Sequence, residues 1–205
     1  MRLRNIKDAE KIINESENVI NAPIEYKGKW SQVFNNNNDI HIEVGMGKGD
    51  FIINKALANP DINFIGIEKY ASVLVRAIEK INEDIPNLRI ICFDANELNE
   101  VFNDEINVIY LNHSDPWPKV RHEKRRLTSK GFLDIYKAIS KDKAHIYMKT
   151  DNKGLYEYSR ESFLLNKFEI LDSSIDYHCD DNILTEYESK FRKLGQPIYY
   201  LEVLS

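Results

Sequence analysis

Cysteine is scarce in this chain, and long apolar runs are missing. Cys92 and Cys179 are the only cysteines in 205 residues, so neither a disulfide framework nor a zinc-ligand spacing is predicted. The five histidines form no paired ligand motif, and we expect no metal. No run approaches the roughly 18 apolar residues of a membrane span. The first ten residues carry positive charge without the apolar core of a signal peptide, so we expect a cytoplasmic protein.

The length favours one domain with a full core and a short appendage. We expect residues 1–38 to form an N-terminal extension, ending in a polar asparagine run at 35–38, and residues 39–205 to form the main domain. A helix is predicted within residues 8–20 of the extension. A monomer and a homodimer are both compatible with the sequence.

From residue 39 onward, short apolar strands alternate with helical patterns, which is typical of βαβ units and a Rossmann-like, mostly parallel sheet. Helical spacing is seen in Leu74, Ala77, Ile78 and Ile81, and again in Phe132, Ile135, Tyr136 and Ile139, where Thr128 is the expected N-cap. The region before the last strand shows no clear crossover helix, which leaves room for an antiparallel strand. The predicted strands are Ile40–Val44, Asn63–Ile67, Leu88–Phe93, Ile106–Leu111, Ala144–Lys149, Phe168–Leu171 and Ile198–Val203.

A glycine-rich loop follows the first predicted strand. It reads Glu-Val-Gly-Met-Gly-Lys-Gly at 43–49, and its glycines let the backbone turn sharply and approach a ligand closely. The third glycine comes one residue too early for the dinucleotide fingerprint, and the ending of a phosphate loop is missing. The loop instead adds an acid, Glu43, ahead of its first glycine.

Two more acids, Glu68 and Asp94, end the next two predicted strands. The dipole of a following helix can explain any one of these acids. Three in succession beside a glycine loop predict a pocket at the carboxyl edge of the sheet. Its negative charge would repel a pyrophosphate and suit a cationic ligand. S-adenosylmethionine, an adenosine with a sulfonium and an amino group, fits that description.

The segment Ser-Asp-Pro-Trp-Pro at 114–118 follows the fourth predicted strand directly. Its prolines can continue neither a strand nor a helix, so Asp115 should sit on a rigid turn. A basic run follows at 119–126, offset only by Glu123. Because the net charge is −5, a nucleic acid would have to bind such a local patch. A basic run is more often a solvated face, so the run alone does not identify RNA.

The loop at 43–49 resembles the first motif of class I methyltransferases, and segment 114–127 is similar to the signature of bacterial tRNA (guanine-N7)-methyltransferases. Residues 149–152, 185–188 and 195–199 are similar to that family's later motifs. The resemblance runs from about residue 40 to residue 200. It implies a seven-stranded, mostly parallel Rossmann-like sheet with helices on both faces.

The resemblance also assigns roles to residues. Asp115 would be catalytic and reach toward the reacting base. The cofactor S-adenosylmethionine would contact Glu43, Gly45, Gly47, Glu68, Asp94, Ala95, Asn96 and Asp115, with Asn96 as the alternative to Asp94. The guanosine would contact Lys119, Asp151, Thr185, Glu186, Tyr187 and Glu188. The tRNA would contact Arg121, His122, Lys124, Arg125 and Arg126.

The implied reaction is methyl transfer to N7 of a guanine, in this family a guanosine of the tRNA variable loop. N7 carries a lone pair and no proton, so no general base is needed, and positioning and electrostatics should dominate. Asp115 or Asp151 could stabilise the cationic purine or bind its N1–H and 2-amino edge. Trp117 could stack on a base or fix the turn. A methyltransferase for exocyclic amines and a catalytically silent tRNA-binding protein are the alternative functions.

Overall fold

The computed structural model describes residues 6–81, 84–178, 183 and 185–205, with only the backbone of Glu186. Within these residues the α-helices are α1 (Ala9–Glu15), α2 (Trp30–Phe34), α3 (Asp50–Ala58), α4 (Ala71–Ile78), α5 (Lys130–Ile139), α6 (Lys153–Leu165) and α7 (Glu186–Lys193). The strands are β1 (Ile40–Val44), β2 (Asn63–Glu68), β3 (Leu88–Cys92), β4 (Ile106–Asn112), β5 (Ser140–Thr150), β6 (Glu169–Ser174) and β7 (Tyr199–Leu204). Short 3-10 helices span Pro23–Tyr26, Ala95–Glu100 and Val120–Arg125.

The strands of the described residues form one sheet in the order β3-β2-β1-β4-β5-β7-β6. Strands β1 to β5 pair in parallel, whereas β7 is antiparallel to both β5 and β6. The predicted seven-stranded, mostly parallel Rossmann-like sheet is confirmed. An antiparallel strand near the end of the chain, which the sequence left open, is present as β7.

Helices cover both faces of the sheet, as a parallel sheet requires. Alternate residues of β4 go to opposite sides: Ile109 and Leu111 join one apolar layer, and Val108 and Tyr110 join the other. The apolar side chains of α5 and α6 pack in the first layer, and those of α1, α3 and α4 pack in the second. The sheet is therefore a rigid support whose carboxyl edge is left open to solvent.

The first described residues pack onto this sheet. Ile13 of α1 and Val19 belong to the same apolar layer as α4. Val19 also forms a parallel β-bridge with Ile90 of β3. The helix predicted within residues 8–20 ends at Glu15, because the chain beyond it runs along the edge of the sheet.

Trp30 fastens α2 to the opposite layer. Its side chain is fully buried, and its indole Nε1 donates a hydrogen bond of 2.9 Å to the carbonyl of Val101. The carboxylate of Glu105 accepts the backbone N–H groups of Gly28 and Trp30, each at 2.9 Å. The chain ahead of β1 is thus tied to the loop that precedes β4.

Strand β5 begins at Ser140, before the predicted Ala144, β6 extends to Ser174, beyond the predicted Leu171, and α4 ends at Ile78, before Ile81. Two further local features differ from the sequence prediction. Ser129, not Thr128, occupies the N-cap of α5, because Thr128 is buried with its Oγ1 2.7 Å from Oγ of Ser159. The pattern also gave no helix at 153–165, where α6 lies. Two of the buried positions of α6 are serines, Ser159 and Ser162, so apolar periodicity does not mark this helix.

We expect Trp30→Ala to lower the free energy of unfolding by about 3–5 kcal/mol. The substitution empties a fully buried site and leaves the carbonyl of Val101 without its donor. Urea denaturation followed by circular dichroism measures the loss. Leu165→Ala is the control, because that side chain is 75% exposed and its loss should change stability by less than about 0.5 kcal/mol. A loss below about 1 kcal/mol in Trp30→Ala would mean that residues 6–38 do not share the stability of the main sheet.

Candidate functional site

The carboxyl ends of β1 to β4 surround a cavity of about 1260 Å³. All eight residues that the sequence analysis assigned to the cofactor line this cavity, namely Glu43, Gly45, Gly47, Glu68, Asp94, Ala95, Asn96 and Asp115. Such a crevice is where open α/β sheets bind their ligands. The structure brings these residues together, and their individual roles stay predictions.

The glycine loop between β1 and α3 forms one wall of the cavity. Gly45, Gly47 and Gly49 have φ values of 76°, 57° and 78°, a region that other L-residues rarely adopt. A Cβ on Gly49 would also lie 2.9 Å from Cβ of Ala77, so α4 packs where only glycine fits. The N–H of Gly45 donates to the carbonyl of Ile67 at 2.9 Å, which fixes the loop over the end of β2.

Glu43 lies at the centre of the sheet, near the end of β1. Its side chain is buried, and Oε1 accepts a hydrogen bond of 2.9 Å from Nδ2 of Asn112 at the end of β4. Oε2 is buried without a hydrogen-bond partner. Burial raises the pKa of Glu43 to about 8, although the side chain of Asn112 and the backbone N–H of Ile52 act to lower it. Oε2 is therefore a buried acceptor that a cationic donor would satisfy.

Glu68 ends β2 and faces the same cavity. Its Oε1 accepts the N–H of Tyr70 at 2.9 Å, and its Oε2 accepts the N–H of Gly47 at 3.2 Å. Burial raises the pKa of Glu68 against these backbone hydrogen bonds, and the charge of Asp115 adds to the rise. The acid thus joins the glycine loop to the end of β2.

Asp94 follows β3 and caps the 3-10 helix Ala95–Glu100. Its Oδ1 accepts from the backbone N and from Nδ2 of Asn96, at 3.0 and 2.8 Å, and its Oδ2 lies 2.5 Å from Nζ of Lys69. Partial burial acts to raise the pKa of Asp94, but Lys69 and Asn96 outweigh it, and the pKa is lowered. Asp94 and Asn96, the two alternatives from the sequence, form one hydrogen-bonded unit.

Asp115 lies on the turn between β4 and the basic run. His113 and Trp117 on this turn have φ values of 47° and 40°, a conformation that costs about 1–3 kcal/mol for a residue other than glycine. Trp117 also precedes Pro118, which restricts it further. Asp115 is exposed on the cavity wall between these two residues. The turn follows β4 as predicted, and the rigidity expected from its prolines stays a prediction.

His113 is a residue of the site to which sequence reasoning gave no role. Its side chain is 3% exposed, and its Nδ1 lies 3.3 Å from Oδ1 of Asp151. The ring centroid lies 6.2 Å from that of Tyr187 and 5.9 Å from that of Phe191. The hydrogen bond to His113 lowers the pKa of Asp151. The sequence feature that could have identified His113 is its position, two residues before Asp115.

The run 185–188 begins α7. Oγ1 of Thr185 accepts the N–H of Glu188 at 2.9 Å and caps the helix. The carboxylate of Glu188 is fully buried and forms ion pairs of 3.3 Å with Lys149 and 2.8 Å with Arg192. Glu188 therefore anchors α7 on β5, whereas Thr185 and Tyr187 are the members of this run that line the cavity.

The cationic side chains of the basic run point in two different directions. Trp117 contacts His122 edge-on at 5.6 Å between ring centroids, and Cζ of Arg125 lies 4.9 Å from the Trp117 ring centroid. Arg126 points instead toward α6, where its Cζ lies 4.1 Å from the ring centroid of Tyr158. The exposed members of the run are Lys119, Arg121, Lys124 and Arg125.

Two residues named in the sequence analysis are not placed by the structure. Cys179 and the side chain of Glu186 lie outside the described residues. In the described part of the chain, no group of three or more His, Cys, Asp or Glu side chains is arranged to hold a metal ion. None of the described helices is long and apolar enough to cross a membrane.

The chain matches known methyltransferases in fold and in sequence. A family model described as putative methyltransferase matches residues 37–201. A solved structure titled as an antibiotic-related methyltransferase aligns with a TM-score of 0.67 at 16% identity, covering 87% of this chain and 92% of that one. A 16S rRNA (adenine(1408)-N(1))-methyltransferase from Catenulisporales acidiphilia, solved with cosubstrate SAM, aligns with a TM-score of 0.65 at 15% identity, covering 87% of this chain and 90% of that one. The Rossmann-like sheet with acids and glycines around its open carboxyl edge is thus the fold of a class I methyltransferase.

Comparison with named relatives identifies the family within this class of methyltransferases. The tRNA (guanine-N(7)-)-methyltransferase of Bacillus licheniformis is 49% identical over 98% of this chain and 98% of its own length. The enzyme of the same name from Bacillus velezensis is 50% identical over 99% of this chain and 96% of its length. The chain belongs to the family of bacterial tRNA (guanine-N(7)-)-methyltransferases.

We expect the buried carboxyl group of Glu43 to make stability depend on pH. Its pKa is raised in the folded protein to about 8, so the folded state holds a proton that the unfolded state releases at lower pH. Stability gained from this group is full below about pH 4.5 and is lost as pH rises to about 8, by at most about 1.4 kcal/mol per pH unit. Denaturant unfolding of the ligand-free protein from pH 5 to 8 should show wild type losing stability relative to Glu43→Gln. A constant difference between the two proteins would show that Glu43 keeps an ordinary pKa.

Proposed function

We propose that this protein transfers the methyl group of S-adenosylmethionine to N7 of a guanine in tRNA, giving 7-methylguanosine and S-adenosylhomocysteine. The observation that carries this proposal is the convergence of Glu43, Glu68, Asp94 and Asp115 with the glycine loop on one cavity. Membership of the family selects the substrate among the methyl acceptors that such a cavity could serve. A tRNA substrate supports the expectation of a cytoplasmic protein.

The residues present fit the cofactor. Oε2 of Glu43 is a buried acceptor without a partner, suited to the cofactor's ammonium group. The acid at the end of β2, Glu68, is placed for ribose hydroxyls, and Asp94 with Asn96 would border the adenine. A Cβ at Gly47 would meet no protein atom within 4 Å, so the loop leaves room for a ligand. When bound, S-adenosylmethionine supplies an electrophilic methyl group on a sulfonium.

A cationic ligand would also change the charge state of the pocket. The raised pKa of Glu43 keeps its carboxyl group largely protonated at neutral pH while no cation is near. An ammonium group at hydrogen-bond distance favours the ionised form. Binding of the cofactor would thus release a proton and relieve the unfavourable burial of Glu43.

The acceptor side of the site would be built from Asp115, Asp151 and Tyr187. The lowered pKa of Asp151 keeps it ionised, so it can accept the N1–H and 2-amino donors of guanine. Asp115, exposed on the cavity wall, can stabilise the positive charge that the purine gains. Because N7 has no proton to lose, these residues act by orientation and electrostatics.

The exposed cations beside the cavity suit a nucleic-acid backbone. Lys119, Arg121, Lys124 and Arg125 project from one short segment, and Lys124 and Arg125 also line the cavity. The chain as a whole carries a net charge of −5, so RNA would bind through this patch and not over the whole surface. The patch would orient the tRNA so that one guanine reaches Asp115.

A methyl-transfer assay tests the proposed function. Purified protein, unmodified tRNA and labelled S-adenosylmethionine should give 7-methylguanosine, detected by nucleoside analysis and by chain cleavage after borohydride and aniline. A product at an exocyclic amine would reject guanine N7 as the acceptor. Tight tRNA binding without any product would favour a catalytically silent binder.

We expect Asp115→Ala to lower kcat by a factor of about 100 or more, the scale of losing one preorganised electrostatic group. Asp115→Asn keeps the shape of the side chain and removes its charge, so it separates electrostatics from packing. Asp142→Ala is the control, since Asp142 is exposed near the opposite end of β5. A near-native rate in both Asp115 variants would remove Asp115 from the chemistry.

A further inference from the structure

Arg126 differs from every other cation of the basic run by what it binds. Its Nε donates to the carbonyl of Pro116 and its Nη2 donates to the carbonyl of Trp117, each at 3.1 Å. The guanidinium also packs on the ring of Tyr158 from α6, at 4.1 Å. Arg125, its neighbour, is exposed and lines the cavity. Two adjacent arginines thus face different partners.

The two carbonyls that Arg126 binds need an outside donor. Pro116 and Pro118 have no backbone N–H, so the turn is short of internal donors. In the described part of the chain, no backbone N–H donates to the carbonyls of Pro116 or Trp117. Trp117 is also held at a φ of 40° before a proline. A planar fork that spans two successive carbonyls fixes this strained conformation in a way that a single ammonium group cannot.

The support behind Arg126 is rigid. Oγ of Ser162 in α6 donates to the carbonyl of Thr128 at 2.6 Å, and Oγ of Ser159 lies 2.7 Å from Oγ1 of Thr128. Oγ of Ser129 donates to the carbonyl of Lys124 at 3.1 Å. Segment 124–129 is therefore fastened to α6. Because Arg126 belongs to this segment and binds the turn that carries Asp115, the turn is held in place relative to α6.

We propose that Arg126 is a positioning residue that holds the Asp115 turn in its working geometry, and that it does not bind the tRNA backbone. This inference rests on the proposed function, because it assigns Asp115 to the methyl-transfer site. It separates Arg126 from the RNA contacts that the sequence pattern suggested. In this arrangement Arg125 would bind the tRNA and Arg126 would bind the turn.

Kinetics of Arg126→Lys and Arg126→Ala test the proposal. We expect kcat to fall roughly 10- to 100-fold in both, the effect of a small misplacement of a catalytic group, while KM for tRNA changes by less than about threefold. Lysine should not rescue, because it lacks the fork. Added ethylguanidine should restore part of kcat in Arg126→Ala. Equal kcat in wild type and both variants would overturn the proposal.

Binding measurements distinguish the two arginines without using activity. Arg125→Ala should lower the slope of log K for tRNA against log salt by about 0.7–0.9, the share of one phosphate contact. Arg126→Ala should leave that slope unchanged and instead make Trp117 more open to acrylamide quenching of its fluorescence. Lys124→Ala is the fluorescence control, and the other tryptophan, Trp30, is fully buried. A slope reduced as much by Arg126→Ala as by Arg125→Ala would make Arg126 an RNA ligand.

A second variant guards against a folding defect. Tyr158→Leu leaves Arg126 in place and removes the ring beneath it, so kcat should fall less than in Arg126→Ala and in the same direction. Tyr158→Phe keeps the ring and removes only the hydroxyl contacts with Glu123 and Ser162, so its kcat should lie closer to wild type than that of Tyr158→Leu. If Tyr158→Leu keeps the kcat and the acrylamide quenching of wild type, α6 does not position the Asp115 turn through Tyr158 and Arg126. Absence of methyl transfer by wild type would count against the proposed function, while the salt slopes and quenching would still decide the role of Arg126.

Discussion

The structure depends on the point where the sheet changes direction. The strand order 3-2-1-4-5 means that the chain builds outward from β1 on one side and then returns to place β4 on the other. Connections leave β1 and β4 toward opposite sides, so a crevice opens between them at the carboxyl edge. The hydrogen bond between Glu43 and Asn112 spans this point. Every other part of the site is arranged around that pair.

Several unfavourable local features lie at this crevice. Glu43 has a buried carboxyl group with an unpartnered oxygen, His113 and Trp117 have left-handed backbone, and Gly45 and Gly47 have positive φ. All five residues line the cavity. Such features persist where the surroundings determine them. Here the surroundings are a sheet packed on both faces and the Trp30 and α6 contacts that fasten its loops. The same features are what a cationic ligand and a precisely placed acid require.

Acidic and basic side chains meet at the cavity. The acids at the strand ends would favour a cation, while the surface at 119–125 is basic and would favour phosphate, and two of its cations, Lys124 and Arg125, also line the cavity. The turn at 113–118 connects the end of β4 to this basic surface, and the guanidinium of Arg126 donates to two of its carbonyls. A protein with a net negative charge can in this way present a confined site for RNA.

The amino-acid sequence by itself determined the strands, the alternation with helices and the identity of the acids at the strand ends, because period-2 and period-3.6 patterns and turn residues are local signals. It also placed Asp115 on a turn directly after the fourth strand. Only the tertiary structure decided what those residues touch. In the tertiary structure Glu188 is a buried anchor, Asp94 pairs with Lys69, His113 contacts Asp151, and Arg126 binds backbone carbonyls 9 and 10 residues away. The sequence did not predict helix α6, because serines stand in place of apolar residues on its buried face. These serines form hydrogen bonds with Thr128, about 30 residues earlier in the chain. Long-range pairing of polar groups leaves no periodic trace, whereas burial of apolar groups does.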